Sequence, residues 1–293
     1  MRRFVNLVEV GARDGIQGIT TKVLTPHTKA AYINLLVNSG IKNIEVGSFV
    51  SDSVKQMKTT REVIGLIRRP PDVNFMALIG NRRYAEEAAE YPLNTFAVFT
   101  TISETFSQKN NGCDISKNTS RISEIIQVAS RAEIKVRGYI SCVFGCSYEG
   151  YDPVRNVEKT VEMTRKLLDM GCYQISIADT IGTATPETII STIKGLEDAG
   201  IDLGKIAIHL HDPHSLAKSN LLTALKMGIR TVDGATGGIG GCPNVINPSS
   251  NIDTLTVVRT LNELRFAHNT DYNKIRKASR YIQARISSTK EDD

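Results

Sequence analysis

Short β-branched apolar runs recur along the chain, and a helix-like stretch follows each one. Eight stand out, at 4–10, 41–49, 73–79, 95–101, 134–144, 174–180, 205–212 and 230–237. They are continuous apolar runs more than strict alternations, the pattern of parallel strands covered on both faces. The stretches between them carry helix punctuation. Thr25-Pro26 to Gly40, Asp152-Pro153 to Gly171, Thr185-Pro186 to Gly200 and Asp212-Pro213 to Gly228 share one grammar. Each sets a capping side chain, a proline at the first helical position and a glycine as the stop.

Eight βα units between residues 4 and 237 predict an α/β fold of the (β/α)8 type, a TIM barrel. A doubly wound open sheet uses the same units. The count of eight, and the absence of a Gly-rich dinucleotide loop after the first run, favour the barrel. From about residue 253 two further stretches, "DTLTVVRTLNELRF" and "TDYNKIRKASRYIQARI", read as helices that pack on the barrel. No linker-like or low-complexity segment divides residues 1–293, so a single catalytic domain is expected.

Composition narrows the partners. With 41% hydrophobic and 23% charged residues the chain should fold and be soluble. No apolar run is long enough to span a bilayer. The start, "MRRFVNLVEVG", passes directly into a strand pattern without the apolar stretch of a signal peptide. The net charge of +5 comes from basic residues spread along the chain. Neither a nucleic-acid nor a membrane partner is therefore expected, while an anionic substrate is compatible. The five cysteines are an odd number in an unsignalled chain, which points to reduced thiols and a cytoplasmic location. Cys142 and Cys146 lack a second pair at zinc spacing and read as small buried or half-buried thiols.

In a TIM barrel the chemistry sits at the C-terminal strand ends. Arg13, Asp14 and Gln17 follow the first run; Glu45 and Ser48 lie on the second; Asp179 and Thr180 end the sixth. His209, His211 and Asp212 end the seventh, and Cys242 and Asn251 follow the eighth. Three of the five histidines fall within "HLHDPH". His209 and His211 are two apart on a strand and so share a face. With Asp14 arriving from the first run and a carboxamide from Asn251, they form a cation set suited to Mg²⁺ or Mn²⁺ rather than a thiolate zinc cage. His214 lies past Pro213, already in the next helix, and reads as surface; Asp212 reads as a cap of that helix. Cys242 sits in "GGIGGCPN", a glycine-rich and so mobile loop, where a thiol can act as general acid or base. Asp179 and Thr180 could equally cap the helix that follows them.

With these residues assembled, the chain resembles the 3-hydroxy-3-methylglutaryl-CoA lyase family along nearly its whole length. "VEVGARDGIQ", "IEVGSFVS", "VRGYISCVFGCSYEG", "MGCYQISIADTIGTATP", "HLHD" and "GGIGGCP" occur in the family's order. The resemblance implies a metal-dependent TIM-barrel lyase that cleaves hydroxymethylglutaryl-CoA to acetyl-CoA and acetoacetate. It implies that Asp14, His209, His211 and Asn251 hold the cation. Arg13 would polarise the thioester carbonyl and stabilise the enolate. Cys242 would close over the substrate and take part in proton transfer, with Glu45 and Asp179 near the reacting groups. Gln17, Ser48 and Thr180, together with Arg13, are the expected substrate contacts, and a homo-oligomer, a dimer among the options, is the expected assembly.

The chain departs from the family at Gly18 and Ile19, at Asn244, in "NPSSN" and in "DPHS". These departures fall in loops that face substrate, and the cation set and the thiol survive them. A related carbon–carbon lyase or aldolase with another 3-hydroxy acid or acyl-CoA is the alternative. An acetyl-CoA-condensing synthase is disfavoured, because Cys242-Pro243 is absent from the synthases' corresponding loop.

Overall fold

Side chains that point outward from a strand in a barrel must meet helices, and here they are aliphatic. Ile175 and Ile177, Ile206 and Ile208, and Val136 and Ile140 all belong to one large buried cluster with the helices. The computed structural model describes residues 3–19, 22–241 and 250–288. The strands are β1 (Asn6–Glu9), β2 (Asn43–Phe49), β3 (Asn74–Ile79), β4 (Thr95–Thr101), β5 (Lys135–Ser141), β6 (Gln174–Ala178), β7 (Ile206–His209) and β8 (Thr231–Gly234). They pair in parallel and in sequence order, and β8 pairs with β1 to close the barrel. The helices are α1 (Pro26–Asn38), α2 (Thr60–Leu66), α3 (Arg82–Ala88), α4 (Glu104–Asn111), α5 (Ile115–Arg131), α6 (Pro153–Asp169), α7 (Pro186–Asp198), α8 (Ala217–Lys226), α9 (Thr254–Glu263) and α10 (Tyr272–Ser287). The last two are the expected C-terminal additions.

Three of the four proline-led helices start as their sequences dictate. The side chains of Thr25, Asp152 and Thr185 each accept backbone N–H groups of the first turn. The fourth does not: α8 begins at Ala217, five residues after Asp212, and His214 lies in an exposed turn rather than in the helix. The reason is local pairing. His211 bridges to Asn251, and the Asp212 N–H donates to the Ser250 carbonyl at 2.9 Å. The chain therefore stays extended through Asp212 and turns through Ser215, at φ +59°, before it can coil. Asp212 still serves the helix, accepting the Ala217 N–H at 3.0 Å.

The strand interiors correct a second expectation. The continuous apolar runs predict apolar interiors, yet β5, β6 and β8 send Arg137, Ser176 and Asp233 into the lumen, all essentially buried. Arg137 reaches across from β5 to Asp233 on β8, which only inward-pointing side chains can do. Apolar lumen packing is confined to small clusters, among them Leu78, Ala97 and Tyr139. Among the described residues, Cys113, Cys142, Cys146 and Cys172 are buried and form no disulfide.

Candidate active site

The turn after β1 sets the first two site residues. Residues Gly11–Gly15 wind as one wide turn in which the Gly15 N–H donates to the Val10 carbonyl at 3.1 Å, a π-type spacing. Arg13 Nε donates to Glu45 Oε2 at 2.7 Å and Arg13 Nη1 to Asp14 Oδ1 at 2.6 Å. Glu45 on β2 is fully buried, and its other oxygen accepts the Tyr139 hydroxyl at 2.7 Å. The guanidinium is thus fixed on two sides by charge-assisted bonds. Burial would lower its pKa, but Glu45 and Asp14 raise it and keep it charged. Burial would raise that of Asp14, but Arg13 and the two histidines pull it down to about 2.

The end of β7 supplies the imidazoles. His209 Nε2 lies 3.2 Å from His211 Nε2 and 3.9 Å from Asp14 Oδ2. One ligand atom from each of Asp14, His209 and His211 lies within 4.8 Å of the others. Asn251 completes the group: its Nδ2 donates to Asp14 Oδ2 at 2.8 Å, and its Oδ1 is buried without a hydrogen-bond partner among the described residues. A buried acceptor without a donor is costly unless something positive meets it. Two imidazoles, a carboxylate and that free amide oxygen therefore fit a divalent cation. Burial and the neighbouring His209 push His211 down to about 4, so it is neutral and available as a ligand.

Glu9 anchors the turn from outside the barrel. Its Oε1 accepts Gly11 N–H at 3.0 Å and Thr236 N–H at 2.8 Å, and its Oε2 accepts the Thr236 and Thr254 hydroxyls at 2.6 and 2.7 Å. Burial pushes its carboxyl up to about 7. One side chain thereby ties the ends of β1 and β8 to the start of α9.

A cavity of about 400 Å³ opens over these groups. Arg13, Asp14, His209 and His211 line its floor, with Gln17 and Thr180 among its walls. Leu78, Val98, Phe106 and Ile122 supply an apolar side that reaches α4 and α5. Ser48 and Asp179 are buried but do not line this cavity. Asp179 instead accepts the Thr183 and Ala184 N–H groups at 2.9 and 3.1 Å, shaping the loop before α7, and burial pushes it up to about 7. Thr180 accepts the Cys142 N–H through its hydroxyl, and its carbonyl faces His211 Nδ1 at 2.9 Å.

Cys242 lies outside the described residues. The glycines before it serve close approach as well as freedom. Gly240 has φ +88°, and a Cβ there would sit 2.4 Å from Gly15 Cα and 2.6 Å from the Asp14 carbonyl oxygen. The loop packs on the turn that carries Asp14. Gly240→Ala is expected to displace that turn and weaken Mn²⁺ binding, measured by titration calorimetry. Gly200→Ala is the control: it carries the same strained sign of φ, +76°, with nothing within 4 Å, and should cost stability but leave Mn²⁺ affinity unchanged.

Arg137, Tyr139 and Asp233 were missed from the sequence. The available signal was Arg137 and Tyr139 spaced by two within an otherwise apolar run, which places both on one strand face.

Comparison with known proteins bears on this geometry. The HMGL-like family model matches residues 4–282. The chain is 38% identical over 288 residues to 3-hydroxy-3-methylglutaryl-CoA lyase, cytoplasmic, of Rattus norvegicus, covering 98% of this chain and 82% of that protein. It is equally 38% identical over 283 residues to hydroxymethylglutaryl-CoA lyase, mitochondrial, of Pongo abelii, covering 95% and 84%. The crystal structure of the HMG-CoA lyase from Brucella melitensis superposes with a TM-score of 0.92 at 34% identity, covering 98% of this chain and 100% of that one. An HMG-CoA lyase from Acinetobacter baumannii in complex with coenzyme A and 3-methylmalate gives 0.89 at 29% identity, covering 97% and 91%. Matched over nearly its full length in sequence and in a closed barrel that gathers Asp14, His209 and His211, the chain belongs to the HMGL-like family.

Proposed function

We propose that this chain is a carbon–carbon lyase that cleaves 3-hydroxy-3-methylglutaryl-CoA to acetyl-CoA and acetoacetate with a divalent cation, Mg²⁺ or Mn²⁺. The observation that carries the reading is that Arg13 and the Asp14, His209 and His211 cluster line one cavity, held against each other by the Arg13–Asp14 bond. Asp14, His209, His211 and Asn251 would hold the cation, which would supply a Lewis acid that makes a substrate hydroxyl easier to deprotonate.

The remaining work falls to the chain's own groups. Breaking the carbon–carbon bond leaves a thioester enolate, and Arg13 places a fixed positive charge where that oxygen gains electrons. Glu45 holds Arg13 at its Nε, and Tyr139 holds Glu45, so the charge is oriented before substrate arrives. Gln17 and Thr180 on the cavity wall orient the substrate, and Leu78, Val98 and Phe106 exclude water from one side. Cys242 is assigned the proton-transfer role, and Asp179 and Ser48 support roles beside the site. The substrate is an acyl-CoA, its carrier entering along the wall formed by α4 and α5.

No helix among the described residues is long and apolar enough to cross a membrane. The proposal includes a single catalytic domain, a homo-oligomer and a cytoplasmic location. Sedimentation and cell fractionation test the last two.

The function is tested with purified protein, hydroxymethylglutaryl-CoA and Mg²⁺ or Mn²⁺, following acetoacetate. Release of acetoacetate that stops with EDTA and returns with added cation is the expected result. Inactivity on this thioester, with cleavage of another 3-hydroxyacyl-CoA, would overturn the substrate assignment.

A further inference from the structure

The cation reading leaves one part of the lumen without a purpose. Asp233 on β8 is 1% exposed and sits in register beside His209 on β7. Its carboxylate is held from three directions. Arg137 Nη2 and Nη1 donate to it at 2.7 and 3.2 Å, and Ser176 Oγ donates at 2.8 Å. Arg137 is itself fixed by Gln174 at 2.9 Å, and Gln174 by Thr231 at 3.1 Å. A buried carboxylate is tolerated when paired in this way. The Arg137 fork takes both oxygens and Ser176 takes Oδ2 again, and from that fixed position Oδ2 also faces β7.

Asp233 Oδ2 lies 3.4 Å from His209 Nδ1. That nitrogen is buried and has no partner of hydrogen-bond geometry among the described residues. The opposite ring nitrogen, Nε2, faces His211 and Asp14. The ring therefore has one nitrogen toward a fixed carboxylate and the other toward the ligand cluster. The second histidine is arranged alike, with Nδ1 at 2.9 Å from the Thr180 carbonyl and Nε2 in the cluster. A carbonyl oxygen only accepts, so it holds a proton on His211 Nδ1 and leaves Nε2 as the donor of a lone pair.

We propose that Asp233 is a positioning residue for the cation site: it holds the proton of His209 on Nδ1 and aims Nε2 at the cation. Arg137 and Ser176 fix the carboxylate, and a small rotation of the His209 ring closes the 3.4 Å approach into a hydrogen bond. Outer acceptors of this kind orient a metal-bound imidazole and raise its basicity. The two imidazoles are then preset by unlike acceptors, a carboxylate for His209 and a backbone carbonyl for His211. This inference rests on the cation reading above but not on the identity of the substrate.

The test is Mn²⁺ affinity by titration calorimetry for the wild-type protein, Asp233→Asn, His209→Ala and the double variant. Asp233→Asn is expected to weaken binding by about 10- to 100-fold. Within the His209→Ala background the same change should alter affinity by less than about twofold, because its route runs through the missing ring. Unchanged affinity in Asp233→Asn, or an equal loss in both backgrounds, would overturn the proposal; the latter marks Asp233 as a counter-charge for Arg137 only. A wild-type measurement covers the case of a variant that does not fold. Nitrogen-15 spectra of histidine-labelled protein loaded with Mg²⁺ should show His209 protonated at Nδ1 and bare at Nε2, and the reverse tautomer refutes it. Protein that binds Mn²⁺ with this coupling but releases no acetoacetate would defeat the proposed function and leave Asp233 in its role.

Discussion

His209→Ala combined with His211→Ala is expected to remove the bound cation and abolish cleavage. Among the described residues the cluster holds one carboxylate and one amide oxygen besides the two imidazoles. Neither replacement methyl group can coordinate, and the neighbouring Thr180 carbonyl, which faces His211 Nδ1, lies on the side of the ring away from the cluster. The loss should exceed the about 10- to 100-fold that removing an outer partner of a ligand costs. Folding should survive, since the change deletes one hydrogen bond to a backbone carbonyl, worth about 1 kcal/mol, with the edge contact of His209 to Tyr139 and its approach to Asp233, while the Arg137–Asp233 pair stays in place. Elemental analysis of the purified variant, beside circular dichroism, checks both halves. Metal content equal to wild type in a folded double variant would remove these histidines from the ligand set.

Arg13→Lys is expected to keep the cation and lose most turnover. Arg13 uses Nε for Glu45 and Nη1 for Asp14, a planar fork with two separate anchors. A lysine ammonium is a single point that cannot occupy both positions and still face the cavity. Loss of one well-placed oxyanion donor typically costs about a hundredfold or more in rate. Asp14, not Arg13, is the proposed ligand, so Mn²⁺ occupancy read by electron paramagnetic resonance should remain near wild type. The decisive comparison is kcat at matched occupancy. Turnover close to wild type would return Arg13 to the role of a counter-charge between Glu45 and Asp14.

These two expectations differ in how they became visible. His209 and His211 stand out because histidine is sparse in this chain and two of them share one strand face. Arg13 and Glu45 were legible only as polar residues at neighbouring strand ends. That Glu45 clamps Arg13, and that Tyr139 clamps Glu45, depends on contacts between residues 32 and 94 positions apart. The start of α8 went unread for a similar reason. "DPHS" has the local grammar of a helix start, but the pairing of His211 with Asn251 holds the backbone extended there.

Local chemistry written into the chain was enough to determine the eight strands, the caps at Thr25, Asp152 and Thr185, the C-terminal helices and the placing of Asp14, His209 and His211 at strand ends. Each depends on a side chain and its near neighbours: β-branched runs, a proline at a first turn, imidazoles two apart. The tertiary structure decided the rest. It turned Arg137, Ser176 and Asp233 inward, and it brought Gly240 onto the turn of Asp14. It also set Asp233 behind His209. Those outcomes follow from barrel closure and strand register, which bring together residues from strands that are remote in sequence. An aspartate in "TVDG" reads as an ordinary strand residue until the register places it beside an imidazole.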